Sequence, residues 1–177
     1  MKKFINKVDD IVTESLSGFA TAHSDLVTLH LDPNFLTRNN KAQNKVAIIS
    51  DGCSGHEPLH TSYIGYGMLD VACPGQEFTS PSPAQMLAAA EAVHSDEGIL
   101  FIVKNYAGDV MNFEMAAEML TFQNATVLFT DDCAVLNSTY TTGHRGEAGT
   151  MIMEKNAWVA SLKQARVYKH AKRWVTR

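Results

Sequence analysis

Two short polar stretches hold most of the chemistry this sequence offers. Ser50-Asp51-Gly52-Cys53-Ser54-Gly55-His56-Glu57-Pro58 follows the apolar run Val46-Ala47-Ile48-Ile49, and Lys104-Asn105-Tyr106-Ala107-Gly108-Asp109 follows Ile99-Leu100-Phe101-Ile102-Val103. Together they supply an imidazole, an ammonium and a carboxylate. In open parallel sheets, ligands bind beyond the carboxyl ends of the strands, so both stretches are placed to face one crevice. A glycine-flanked turn aims backbone N–H groups at an oxygen of a small polar ligand, and His56 beside it suits acid/base work near neutral pH. Taken alone, His56 serves equally well as a cap on its own turn. Lys104 taken alone is equally a surface lysine closing a strand; Asp109 in the same loop favours the ligand role.

Competing motifs fit less well. No Gly-Lys-Ser/Thr ends the first stretch, so it is not a P-loop, and it lacks the third glycine of a dinucleotide fingerprint. His56-Glu57-Pro58-Leu59-His60 has the letters of the zinc-protease pattern, whose histidines must share one helical face. Pro58 lies between them, and a proline inside a helix removes a hydrogen bond and clashes with the preceding turn. No metal is expected.

The elements that must position these residues alternate. A helix is expected around Asp10–His23, then a half-buried strand at Val27, Leu29 and Leu31. Val46–Ile49 suits a strand buried on both faces. A helix is expected to start near Pro58, a residue favoured at the first helical position. Val71-Ala72-Cys73-Pro74 precedes a turn-rich segment, and Ser82 is placed to cap a helix over Ala84–His94. Ile99–Val103 and Thr126–Phe129 read as strands, with a helix over Phe113–Phe122 between them. Gly149–Arg177 fits one long helix, with Trp158, Leu162, Ala165, Tyr168, Lys172 and Val175 near one face. Six basic residues, Lys163, Arg166, Lys169, Lys172, Arg173 and Arg177, mark its end, and no acid follows Glu154. This pattern predicts an α/β fold, a mostly parallel sheet with helices on both faces, in three layers and one domain over residues 1–177.

The chain has 177 residues, 45% of them apolar, enough for a packed core. A net charge of −4 is too mild to predict a nucleic-acid or membrane-surface partner. No run of 18 apolar residues suggests a membrane span, and Asn6, Lys7, Asp9 and Asp10 interrupt any secretory signal. Cys53, Cys73 and Cys133 form no CxxC pair, which argues against a disulfide framework or a zinc site and for a reducing cytoplasm.

Several ordered blocks carry a resemblance. Ser50-x-Gly52-x-Ser54-Gly55-His56-Glu57-Pro58, Tyr63-Ile64-Gly65-x-Gly67-Met68-Leu69, Ala72-Cys73-Pro74-Gly75, Phe78-Thr79-Ser80-Pro81, Lys104-Asn105-Tyr106-x-Gly108-Asp109 and Asn112-Phe113-Glu114 resemble the substrate-binding subunit of dihydroxyacetone kinases, from Met1 to about Lys155. The resemblance implies phosphorylation of a terminal hydroxyl of dihydroxyacetone. It makes His56 the general base and Asp109 the group that helps to polarise the hydroxyl. Lys104 and Cys53, Ser54 and Gly55 then hold the substrate. It also implies homodimers, and a phosphoryl donor, a nucleotide or a phosphorylated partner, supplied by another subunit; no cofactor is expected on this chain.

The departures are specific. Asp51, Cys53 and Ser62 stand where the family pattern has glycine, and His144 stands where it is usually basic. A side chain at Cys53 is expected to project where substrate meets bare backbone, and Asp51 to place a carboxylate near the strand end. In the family a second domain supplies a histidine that bonds covalently to the substrate carbonyl; nothing here matches it, and His170 sits in the wrong context. The chain is thus expected to be an N-terminal half with impaired turnover, or else a non-catalytic carbonyl-compound sensor or scaffold of the same fold.

Overall fold

The computed structural model describes residues 2–41, 43–134 and 143–162. A helix, α1 (Ile11–Ala22), leads into a hairpin of β1 (Val27–His30) and β2 (Phe35–Arg38). β3 (Ala47–Ser54), β4 (Val71–Glu77), α2 (Pro83–Val93), β5 (Ile99–Lys104), α3 (Ala107–Met119), β6 (Asn124–Phe129) and α4 (Thr150–Ser161) follow. The six strands form one sheet in the order β1-β2-β4-β3-β5-β6. β4, β3, β5 and β6 run parallel, and the hairpin joins antiparallel through β2 and β4.

Why the central strands read as unbroken apolar runs is visible in their alternation. Val46, Ile48, Leu100, Ile102 and Val127 turn to a core shared with Val12 and Leu16 of α1 and Ala157 and Trp158 of α4. Ala47, Ile49, Ile99, Phe101 and Val103 turn to the opposite core, against Met86, Ala89 and Ala90 of α2 and Phe113 and Ala116 of α3. Successive side chains of a strand point to opposite faces, so a strand covered on both sides must be apolar at every position. This is the three-layer α/β arrangement the sequence implies. Ser82 caps α2 as expected, its side chain accepting from Gln85 N at 3.3 Å.

The structure differs in three places. β2 is an extra strand; its Thr37 and Arg38 resemble loop residues, yet both are buried. No α-helix starts near Pro58: residues 55–64 form turns and one short 3-10 turn over Thr61–Tyr63, because His60 swings inward instead of continuing a helical face. α3 begins at Ala107, six residues before the expected start at Phe113. Gly108 marks no loop there; it lies in the first turn, where an added Cβ would sit 2.7 Å from Ser80 Oγ. Of the helix expected over Gly149–Arg177, α4 covers Thr150–Ser161; Lys163, Ala165, Arg166, Tyr168, Lys169, His170, Lys172, Arg173, Val175 and Arg177 lie outside the described residues. No helix among the described residues is long and apolar enough to cross a membrane.

What buries Arg38 is a charge cluster at the base of the sheet. Asp70 Oδ1 lies 3.1 Å from the Arg38 guanidinium, and its Oδ2 accepts from Lys45 Nζ and, at 2.9 Å, from Ile48 N. All three side chains are buried. Burial holds the Lys45 ammonium below its ordinary value, and the Asp70 charge opposes that shift. One carboxylate therefore serves two cations and joins β2 to the start of β3. Asp70→Ala leaves both cations uncompensated and is expected to cost about 3–5 kcal/mol in urea unfolding. A loss below about 1 kcal/mol would show that water, not Asp70, solvates the pair.

Candidate functional site

β3 and β5 lie side by side, and their carboxyl ends carry the site. The first polar stretch is half strand: Ser50 to Ser54 belong to β3, and only Gly55 onward turns away. The second is shorter still, because Lys104 ends β5 and Asp109 stands in the first turn of α3. Lys104 and Asp109 are each 3% exposed.

Gly52 decides where the lysine goes. A Cβ added there would sit 2.8 Å from Lys104 Nζ and 3.5 Å from His60 Cδ2. The Lys104 ammonium and the His60 ring therefore converge on the bare face of β3, and any side chain at position 52 would make the end of Lys104 shift. Lys104 Nζ also lies 5.6 Å from the centre of the Tyr106 ring. Burial and a bond to Glu147 at 2.7 Å push the Tyr106 phenol up to about 12.

At the rim, Cys53 Sγ lies 3.3 Å from His56 Nδ1. His56 is exposed, and its ring meets the edge of Phe78 with centroids 5.5 Å apart. Gly55 has φ +100°, and a Cβ there would come within 2.9 Å of the Phe78 ring. That glycine is required twice over, by backbone conformation and by close approach. The turn is also held by hydrogen bonds: Ser54 Oγ donates to Gly75 O at 2.6 Å, and Gly55 N donates to the Glu57 carboxylate at 3.1 Å.

Burial raises the Asp109 carboxyl above its ordinary value, opposed by a hydrogen bond from Ser80 and by Lys104, His60 and His56. Its Oδ1 is buried without a partner. Burial also raises the Cys53 thiol, opposed by Lys104. Cys53, His56, Lys104 and Asp109 thus form one electrostatic group, with His56 exposed, Cys53 half-buried, and Lys104 and Asp109 buried.

The residues expected to depart from the glycine pattern take separate environments. Asp51 stands near the end of β3, as expected, but it is 1% exposed and paired across the sheet with Cys73. Neither carboxyl oxygen has a hydrogen-bond partner, and burial together with the nearby Asp109 raises this acid well above its ordinary value. Ser62 lies exposed in the 3-10 turn, where no glycine conformation is needed. His144 Nδ1 lies 2.5 Å from Asp132 O, and its own carbonyl accepts from Asn105 Nδ2 at 2.7 Å, packing residues 143–149 beside the site.

Sequence reasoning missed a buried pair behind the lysine. His60 Nδ1 lies 2.5 Å from Glu154 Oε1 and 3.2 Å from Ser50 Oγ, and His60 Nε2 is unpartnered. His60 and Glu154 are 3% and 0% exposed. The two histidines of the H-E-x-x-H letters therefore face different surroundings, one at the rim and one in the core, and the helix that a zinc site requires does not form. Ser80 was also missed, although its block Phe78-Thr79-Ser80-Pro81 stood in the sequence as a signal. No local signal pairs His60 with Glu154, which are 94 residues apart.

With this geometry in place, comparisons with known proteins are informative. The Dak1 domain matches residues 17–174. The chain is 50% identical over 159 residues to the PEP-dependent dihydroxyacetone kinase, dihydroxyacetone-binding subunit DhaK, of Escherichia coli (strain K12), covering 88% of this chain and 44% of that one. It superposes on the crystal structure of the dihydroxyacetone kinase of C. freundii with a TM-score of 0.88 at 35% identity, over 97% of this chain and 33% of that one. It also resembles a dihydroxyacetone kinase operon co-activator, Dha-DhaQ, with a TM-score of 0.84 at 28% identity, over 95% of this chain and 52% of that one. The chain spans about half the length of the bacterial dihydroxyacetone-binding subunits it matches.

The buried Asp51 acid makes stability depend on pH. Its folded value is raised, so as pH rises the unfolded chain releases this proton first. Its effect is harmless below the ordinary carboxylate value of 3.8 and increasingly destabilising as pH climbs toward the folded value. Asp109 adds a slope of the same sign. Urea unfolding between pH ~4 and ~8 is expected to show Asp51→Asn less pH-dependent than the parent. Identical slopes would mean that Asp51 is ionised in the native state.

Proposed function

The chain belongs to the Dak1 domain family, and on that premise we propose that the crevice beyond β3 and β5 binds dihydroxyacetone. The convergence of exposed His56 and half-buried Cys53 with buried Lys104 and the unpartnered Asp109 Oδ1 carries this reading. The bacterial subunits the chain matches support the substrate, since they are dihydroxyacetone-binding subunits. In this proposal Lys104 holds a substrate oxygen, Asp109 polarises the terminal hydroxyl, and His56 takes its proton as phosphoryl transfer proceeds. Phosphoryl transfer rests on positioning and charge stabilisation, so these side chains suffice on the acceptor side. The donor, a nucleotide or a phosphorylated protein, comes from a partner subunit.

Turnover is impaired in this chain. The Cys53 thiol sits on His56 Nδ1, and a side chain stands at position 53. A second reading, a carbonyl-compound-binding module without catalysis, is favoured by the same contact and by the likeness to the operon co-activator.

Calorimetry with the full chain is expected to show dihydroxyacetone binding that Asp109→Asn weakens by about tenfold, or about 1.4 kcal/mol. Equal affinities would remove Asp109 from the site. Supplied with a phosphorylated donor subunit, the chain is expected to release no dihydroxyacetone phosphate. Product formation that disappears in His56→Ala would establish a working kinase instead.

A further inference from the structure

We propose that Cys53 and His56 form a nucleophilic pair that captures the carbonyl carbon of a small α-hydroxy carbonyl compound as a reversible thiohemiketal. The inference rests on the reading that the crevice takes dihydroxyacetone, and it names the group through which this chain would hold it.

Three observations carry it. The first is the pair itself, with sulfur 3.3 Å from the ring nitrogen at the rim of the crevice. The turn between them is fixed by the Ser54 bond to Gly75, the Gly55 bond to Glu57 and the packing of Gly55 on Phe78. The thiol and imidazole are therefore presented together on a rigid support. The second is the Lys104 ammonium, a buried cation whose charge opposes the raised affinity of the thiol for its proton. A positive group beside a sulfur nucleophile is placed to stabilise the oxygen on which charge develops. The third is Asp109 Oδ1, a deeply buried acceptor that no protein group satisfies. A hydroxyl on the carbon next to the carbonyl would satisfy it.

The step balances without a co-reactant. Burial keeps the thiol protonated, so its proton goes to His56 Nδ1 as a sulfur lone pair attacks the carbonyl carbon. The C–S bond forms as the carbonyl π pair moves onto oxygen. The imidazolium then returns the proton to that oxygen, leaving a hydroxyl. S–H has added across C=O; nothing is oxidised or reduced and no group leaves. Glycerol presents similar hydroxyls with no carbonyl, so it has no route to the adduct. The pair therefore selects carbonyl compounds over polyols.

Dihydroxyacetone labelled with 13C at its central carbon, added to the full chain, provides the test. We expect the bound ketone resonance to be replaced by a tetrahedral-carbon resonance distinct from the free hydrate and absent in Cys53→Ser. In calorimetry Cys53→Ser is expected to bind about tenfold more weakly, and glycerol is expected to bind no more tightly to the parent than to the variant. A bound ketone resonance that persists in the parent would overturn the adduct while leaving the crevice as a dihydroxyacetone site. Absence of binding to both parent and Cys53→Ser would overturn the adduct and the proposed function together. Matching urea-unfolding midpoints for parent and variant make the comparison one of chemistry, since the exchange replaces a single atom.

Discussion

The Lys104 ammonium crosses β3 at the one residue, Gly52, whose missing side chain leaves it room. That passage sets the layout of the site. It brings a cation from the end of β5 over its neighbour, within reach of the thiol at Cys53, the carboxyl of Asp109 and the ring of His60. A Cβ at 2.8 Å from the nitrogen would make the end of the lysine shift, and with it the charge that opposes the raised pKa values of Cys53 and Asp109. Gly52 is thus a close-approach glycine, required for space where its φ lies outside the left-handed region.

Holding so many ionisable groups in an α/β core is costly unless each has a partner. Two solutions coexist here. At the base of the sheet, Asp70 is shared between Arg38 and Lys45, which lets the polar hairpin strand dock against β4. Under the crevice, Glu154 of α4 meets His60, so the helix on one face is tied to the segment that follows β3. Buried atoms without a hydrogen-bond partner remain in both regions: Arg38 Nε and Asp70 Oδ1 in the charge cluster, and both Asp51 oxygens, Asp109 Oδ1 and His60 Nε2 near the ends of β3 and β5. Polar groups left unsatisfied in a core lower stability and are found where a protein needs them for something other than folding.

Asp51, Cys53 and Ser62, the three positions at which the resemblance implies glycine, take three different environments. Ser62 points to solvent and changes little. Asp51 follows the alternation of β3 into the opposite face from Gly52, so its carboxyl enters a core that disfavours the charged form. Cys53 reaches the rim and engages His56. Only the last touches the proposed chemistry, and it does so by adding a nucleophile beside His56.

Composition and alternation were enough to determine the layers. Unbroken apolar runs at Val46–Ile49 and Ile99–Val103 require cover on both faces, and the intervening helical stretches supply it. The ordered blocks around His56 and Lys104–Asp109 were enough to put those residues at the ends of neighbouring strands, because strand ends in a parallel sheet are fixed once the strands are known. Local pattern was silent on β2, whose Arg38 reads as exposed until Asp70 neutralises it. It was equally silent on the direction of Asp51, since a strand that runs to Ser54 rather than Ile49 decides which face each loop residue takes. The His60–Glu154 contact joins residues 94 apart, and only the packing of α4 on the sheet decides it. Side-chain chemistry is written in the chain; which charges share a low-dielectric space is a property of the folded surfaces that exclude water around them.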